Sequence, residues 1–286
     1  MRPASSRRLA LVIGSGSVKC AAALGLWRVL RREGIELDMV VGCSGGSLYA
    51  AGIALGEDVA HFEENTLDLW SADLMSGYAS NLRAAMTREV SYTERSGLID
   101  DAPVWERLCA TYGDRNFADT ETPLFVVATD FYSGEKVVLR EGSLADAIRA
   151  SIAIPMIFPP WEVDGRLLTD GAVSDPLPVD VAIKEGADII LAMGFELSLR
   201  KRMRSFNAVQ THLNAVYMNN ILRASFAFYN AVHHAEIIAL WPDFGADISS
   251  FDVDKIPYIM EMGEKTAEEH VPYLRRLLNS SDGSSS

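Results

Sequence analysis

The chain has 286 residues and is 49% hydrophobic, enough for one large core or for one domain with a smaller lobe. Its formal net charge of −13, from 39 acidic against 26 basic residues, offers no general field for phosphate and argues against nucleic-acid binding. Cys20, Cys43 and Cys109 have neither metal-ligand spacing nor the pattern of a disulfide framework, so a reducing, cytoplasmic setting without a metal is expected.

Leu9-Ala10-Leu11-Val12-Ile13 predicts a buried first strand. Arg7-Arg8 in front of it imitates a secretory leader, but the apolar stretch stops at Gly14 and Lys19 breaks the next one. No apolar run reaches the ~18 residues of a membrane span, so any membrane contact is expected to be peripheral. Gly14-Ser15-Gly16-Ser17-Val18-Lys19 is a glycine-rich turn, and a helix over 20–33 follows, ended by Gly34. A dinucleotide fingerprint needs a third glycine where Lys19 stands, and a Walker A loop needs Gly-Lys-Ser/Thr, so no nucleotide cofactor is expected. The turn reads better as a source of backbone N–H groups.

Met39-Val40-Val41 predicts a second strand, which runs into Gly42-Cys43-Ser44-Gly45-Gly46 and then a helix through Ser47–Leu55. This is the G-x-S-x-G pattern of a nucleophile elbow. Small residues on both sides let the backbone bend sharply, the Ser44 hydroxyl stands clear, and the N-terminus of the new helix favours developing negative charge. Cys43, one place before the apex, is expected to point inward and fill space. Strand–helix–strand–helix order predicts a parallel α/β sheet with both turns at carboxyl ends of strands, where ligands bind in such sheets.

Residues 57–118 predict a helical insertion, with amphipathic helices around 58–70 and 101–112. Between them Ser71–Gly97, carrying Arg83, Arg88 and Arg95, reads equally as a lid or as a helical cover for the sheet. Pro123–Asp130 and Lys136–Arg140 predict further strands, and Leu144–Ile152 a helix. Ile154, Met156, Ile157, Phe158 and Trp161 then gather large apolar side chains around Pro155 and Pro159-Pro160, as an acyl-chain lining or, more simply, a core plug. Trp161–Val163 and Arg166–Leu168 flank an Asp164-Gly165 hairpin turn. Asp170 ends the second hairpin strand and is followed by the small Gly171-Ala172, a place suited to a catalytic carboxylate; Asp164 has only the turn to serve. A helix that begins over Pro176–Ile183 and ends near Gly186, strands at Ala187–Met193 and Glu236–Trp241, and one or two helices over Lys255–Leu278 complete the pattern. The cluster Arg200-Lys201-Arg202-Met203-Arg204 is read as solvated or as facing anionic lipid. The apolar residues of 206–235 are assigned mostly to helical core packing, with a membrane-facing surface as the other reading.

The glycine loop, Ser44 and Asp170, in that order, resemble the patatin-like phospholipase family. The run Gly14–Lys19 is similar to the family's oxyanion loop, Ser44 to its nucleophile, and Asp170-Gly171-Ala172 to its D-G-[GA] motif. Ser17 and Cys20 stand where the family usually has glycine, Lys19 where arginine is usual, and Ala23 where histidine is frequent. The resemblance implies a three-layer α/β/α fold with a mainly parallel sheet, the elbow following the second strand. One domain over 1–278 is expected, with the 57–118 insertion and a helical C-terminal part around 200–278; the polar composition of 279–286 predicts a disordered tail.

The implied activity is that of an esterase or phospholipase A (or lysophospholipase) cleaving fatty-acyl esters through a Ser44–Asp170 dyad. An oxyanion hole would come from N–H groups at Gly16, Ser17 and Gly45, with Gly14, Lys19, Gly42, Gly46 and Gly171 in support. Lipid or another acyl ester is the expected partner; the oligomeric state is left open. An acyltransferase or thioesterase on the same dyad remains an alternative. So does an inactive lipid-binding regulator, suggested by Ser17 and Cys20. A triad using His212, His233, His234 or His270 fits the chain order but has no local motif.

Overall fold

A computed structural model describes residues 7–70, 81, 83–84, 87, 91–199, 201–245, 248 and 252–280. Most of the expected lid segment including Arg88, Arg200 of the basic cluster, and the tail 281–286 lie outside the described residues.

Among the described residues eight strands form one sheet: β1 (Leu9–Ile13), β2 (Met39–Cys43), β3 (Leu124–Asp130), β4 (Lys136–Leu139), β5 (Trp161–Val163), β6 (Arg166–Asp170), β7 (Ile189–Met193) and β8 (Glu236–Leu240). Their order is β5-β6-β3-β2-β1-β7-β8, with β4 also on β3. β3, β2, β1, β7 and β8 run parallel, and β4, β5 and β6 are antiparallel additions at one side. The α-helices among the described residues are α1 (Ala22–Arg32), α2 (Gly45–Ala54), α3 (Val59–Leu69), α4 (Ala102–Tyr112), α5 (Leu144–Ser151), α6 (Val179–Lys184), α7 (Phe206–Val232) and α8 (Ile256–Asn279).

The layers follow from strand alternation. Leu9, Leu11 and Ile13 of β1 face one way, into a core shared with α1, α2, α5 and α8. Ala10 and Val12 face the other way, toward α6 and Leu222 of α7. Both faces being covered, β1 is apolar throughout, as a central parallel strand must be. This is the expected three-layer α/β/α arrangement. The Asp164-Gly165 turn has φ of +50° and +74°, the pair of left-handed residues that a two-residue hairpin requires.

The one or two helices expected over Lys255–Leu278 are a single helix, which runs through Pro272. Two expectations need correction. The helix expected from Pro176 begins at Val179, because Pro178 takes a non-helical conformation as its N-cap. The apolar residues of α7 are mostly not core: Phe206, Val209, Leu213, Tyr217, Phe228 and Val232 are all exposed.

One detail of register positions everything that follows. Val127 pairs with Cys43 on one edge and Val138 on the other, and Ala128 pairs with Asp170 on one edge and Val137 on the other. Since β4 occupies one edge, β2 and β6 share the opposite one and meet there end to end. The last residue of β6 therefore sits on the rung next to the last residue of β2.

Candidate active site

Between Cys43, which ends β2, and Gly45, which starts α2, the chain has one residue in which to turn. Ser44 makes the turn at φ +53°, ψ −131°, a conformation that costs on the order of 1–3 kcal/mol outside glycine. Its neighbours are small because the helix folds straight back. A Cβ on Gly42 would lie 2.6 Å from Ser47 Cα, and one on Gly46 would lie 2.4 Å from the Ile13 carbonyl oxygen. The Ser44 N–H donates to Ser151 Oγ at 2.8 Å, and Ser151 Oγ donates to the Val127 carbonyl at 2.7 Å. The apex is thus tied through one buried hydroxyl to the neighbouring strand.

Ser44 Oγ donates to Asp170 Oδ2 at 2.7 Å, and both residues are buried. The other carboxylate oxygen, Oδ1, accepts the Ala172 N–H at 2.9 Å. The backbone of Asp170 is held by its N–H to Ala153 O at 3.0 Å and by Thr129 Oγ1, which donates to its carbonyl at 2.9 Å. Gly171 permits this placement by close approach: a Cβ there would lie 2.2 Å from Val127 O and 2.9 Å from Cys43 Sγ. Burial pushes the Asp170 carboxyl up to about 6, against the opposing pull of the bonds from Ser44 and Ala172.

The glycine loop lies against the start of α2. Gly14 N–H donates to Met193 O at 2.9 Å and Ser15 N–H to Pro176 O at 2.8 Å, which fixes the loop between β7 and the segment after Asp170. A Cβ on Gly45 would lie 2.9 Å from Ser17 O and 3.1 Å from Ser17 N, so the two turns touch. Ser17 has φ +53°, which explains why glycine suits that position and shows that this chain accepts the strain of a side chain there. Gly16 sits against the Phe195 ring, 2.6 Å from where a Cβ would be. Lys19 is buried and its Nζ donates to Glu196 O at 2.9 Å, which ties the loop to the end of β7.

A family model described as patatin-like phospholipase matches residues 11–183, which span the loop, Ser44 and Asp170 and make up more than half of the chain. The chain belongs to the patatin-like phospholipase family. Among its relatives, an uncharacterized NTE family protein of Mycobacterium tuberculosis is 29% identical over 232 residues, covering 80% of this chain and 60% of that protein. Patatin-like phospholipase domain-containing protein 7 of Rattus norvegicus is 29% identical over 189 residues, 65% of this chain and 13% of its own length. This chain therefore spans well under the full length of either relative. Human GIVD cytosolic phospholipase A2, solved in complex with methyl gamma-linolenyl fluorophosphonate, shares the fold at a TM-score of 0.53 and 10% identity, covering 98% of this chain and 60% of that one.

In this patatin-like chain Ser44, Gly45 and Ser17 line a narrow cavity of about 40 Å³. Its other walls are mainly apolar, among them Leu48, Val104, Leu108, Ile152, Ile154 and Phe158. The cluster expected as an acyl lining or a core plug is divided between roles. Ile154 and Phe158 face the cavity, Ile157 packs against the core, and Met156 is exposed. Trp161 stacks on Trp105 with ring centroids 4.8 Å apart. The insertion contributes directly through Val104 and Leu108 of α4 and through Trp70.

Cys43 is buried as expected. Burial first, then the charges of Asp170 and Asp175, raise its thiol well above the usual range and keep it protonated. Among the described residues no histidine bonds Ser44 or Asp170: His233 and His234 are exposed beyond α7, and His270 meets Thr266 O at 2.8 Å within α8. Sequence reasoning missed Ser151. It is one hydroxyl at the end of an otherwise ordinary helix, and only the fold brings it under the elbow.

Proposed function

We propose that the protein is a serine acyl hydrolase of the esterase or phospholipase A type, acting on fatty-acyl esters of lipids. The 2.7 Å bond to a buried Asp170 carboxylate from Ser44 Oγ, whose residue lines a mainly apolar cavity, carries this reading. Residues 1–278 act in it as one domain, placed in the cytoplasm with peripheral access to membranes.

With its carboxyl titrating at about 6, Asp170 is mostly ionised at neutral pH yet far more basic than a solvated carboxylate. As Ser44 Oγ attacks the ester carbonyl carbon, its proton passes to Asp170 Oδ2. The tetrahedral intermediate carries negative charge on the former carbonyl oxygen. The Ser44 N–H is committed to Ser151, so support for that oxygen falls to Gly45, Gly16 and Ser17 with the N-terminus of α2. Each such donor is worth about 2.7–4 kcal/mol in a well-studied hydrolase. Collapse expels the alcohol, which takes the proton from Asp170 and leaves an acyl ester on Ser44. Water then gives a proton to Asp170 and attacks the acyl carbon; collapse breaks the bond to Ser44 Oγ, which takes the proton back from Asp170 as the fatty acid leaves.

Reaction with an alkyl fluorophosphonate, followed by mass spectrometry, tests the assignment. The adduct is expected on Ser44, absent in Ser44→Ala and much slowed in Asp170→Asn. A folded wild-type protein that forms no adduct, or forms it elsewhere, overturns the reading.

A further inference from the structure

Helix α7 is exposed in a way that the Ser44–Asp170 chemistry does not use. Its 27 residues include one Asp, Glu, Lys or Arg side chain, Arg223, and Glu196 holds that one through bonds of 2.7 and 2.8 Å. At about 100° per residue, positions 206, 209, 213, 217, 220, 224, 228 and 231 fall along one stripe. Phe206, Tyr217 and Phe228 on that stripe are 73%, 60% and 60% exposed, and Val209 and Leu213 are exposed as well. The inner face is anchored: Leu222 and Ala215 are buried, and Asn219 exchanges two bonds with the backbone of Leu197 at 2.8 and 2.9 Å. The fold therefore holds an uncharged, aromatic-bearing stripe of about 40 Å toward solvent.

Two observations identify its occupant. Lys201, Arg202 and Arg204 are exposed immediately before α7, a concentration of cations in a chain of net charge −13. Near the same end, Gln210 Nε2 lies 3.4 Å from Met156 Sδ. Met156 is exposed, and Ile154 and Phe158 on either side of it line the cavity beside Ser44. Cations, the start of the stripe and a wall of the cavity thus adjoin.

We propose that the outer stripe of α7 and the Lys201–Arg204 cluster form a docking surface for an anionic lipid bilayer. The cations meet headgroup phosphates and carboxylates, while Phe206, Leu213, Tyr217 and Phe228 enter the boundary between headgroups and acyl chains. Overall repulsion does not prevent this, because salt screens charges more than about 8–10 Å from the surface while the basic cluster lies against it. A second copy pairing α7 on α7 would cover the stripe with a helix that has no Asp or Glu of its own to meet the cluster. The surface stands on α7 and does not depend on Ser44 being a nucleophile.

The test uses Ser44→Ala protein, so that no lipid is consumed, with sedimentation onto phosphatidylcholine vesicles with and without phosphatidylserine. Binding is expected to require phosphatidylserine. Lys201→Gln/Arg202→Gln/Arg204→Gln should weaken it roughly 100-fold, at about fivefold per cation. Phe206→Ser/Tyr217→Ser/Phe228→Ser should abolish retention on the phosphatidylserine vesicles, with an unchanged melting temperature since all three side chains face solvent. Absence of vesicle binding by the folded Ser44→Ala protein overturns the proposal, as does binding that neither variant changes. A dimer in sedimentation velocity that the stripe variant dissociates, without vesicle binding, would assign the stripe to a second copy instead.

Discussion

Replacing Asp170 with asparagine should make this protein more stable at neutral pH while disabling it. Burial raises the Asp170 carboxyl to about 6 in the native state. In an unfolded chain an aspartate titrates near 3.9, so the shift is about 2 pH units, or roughly 3 kcal/mol. Below about pH 4 the group is protonated in both states and contributes nothing. Between about pH 4 and 6 the unfolded chain has released its proton and the native state has not, so this group lowers stability as pH rises; above about 6 the whole penalty is present. Asparagine cannot ionise and escapes it. The stability difference between Asp170→Asn and wild type should therefore grow across that window by roughly 3 kcal/mol and then level off. Near neutral pH this is a rise in melting temperature of about 6–12 °C, less any pH-independent cost of replacing the bonds from Ser44 and Ala172. Urea unfolding of both proteins from pH 4 to 8 measures it, and ionisation of all other groups cancels in the difference. A difference that stays flat with pH would refute the argument that Asp170 is desolvated in the native state. In the wild type, kcat/KM should rise with pH through about 6 as Asp170 becomes the base, and this limb should be missing from any residual activity of the asparagine variant.

Ser151→Ala should lower stability by about 1–3 kcal/mol, because it strands the Ser44 N–H and the Val127 carbonyl in a buried site, and it should reduce kcat more than it changes KM. Denaturant unfolding and single-turnover acylation separate the two effects. Gly171→Ala drives a methyl group into Val127 O and should cost at least 1–3 kcal/mol; any folded protein should label slowly with fluorophosphonate, because Asp170 is displaced from Ser44. Arg149 is fully buried, bonds Asp101 at 2.5 Å and Pro159 O at 3.1 Å, and stacks on Phe158 and Trp161. Arg149→Ala should cost about 3–5 kcal/mol and raise KM through movement of Phe158, whereas Arg149→Met, which keeps volume, should cost less. Unfolding curves with steady-state kinetics on a water-soluble ester distinguish these outcomes.

Much of this was legible in the sequence where the constraint is local. A strand, one residue of turn and a helix admit little besides small side chains, so Gly42-Cys43-Ser44-Gly45-Gly46 announces an elbow before any fold is known. Asp164-Gly165 marks its hairpin for the same reason, and the small Gly171 beside Asp170 hints at a close approach that the Val127 carbonyl makes. Most of the β-strands and helices announced themselves through length, alternation and breakers.

Tertiary structure alone decided the rest. Asp170 meets Ser44 because β6 enters antiparallel on the same edge of β3 that β2 has just left, a matter of strand pairing far apart in sequence. Ser151 lies under the elbow because α5 docks on that edge, and no pattern within α5 says so. The apolar periodicity of α7 suggested core packing, yet much of it faces outward. A helical period states that one face differs from another; whether that face meets protein, lipid or water depends on what the remaining chain leaves uncovered.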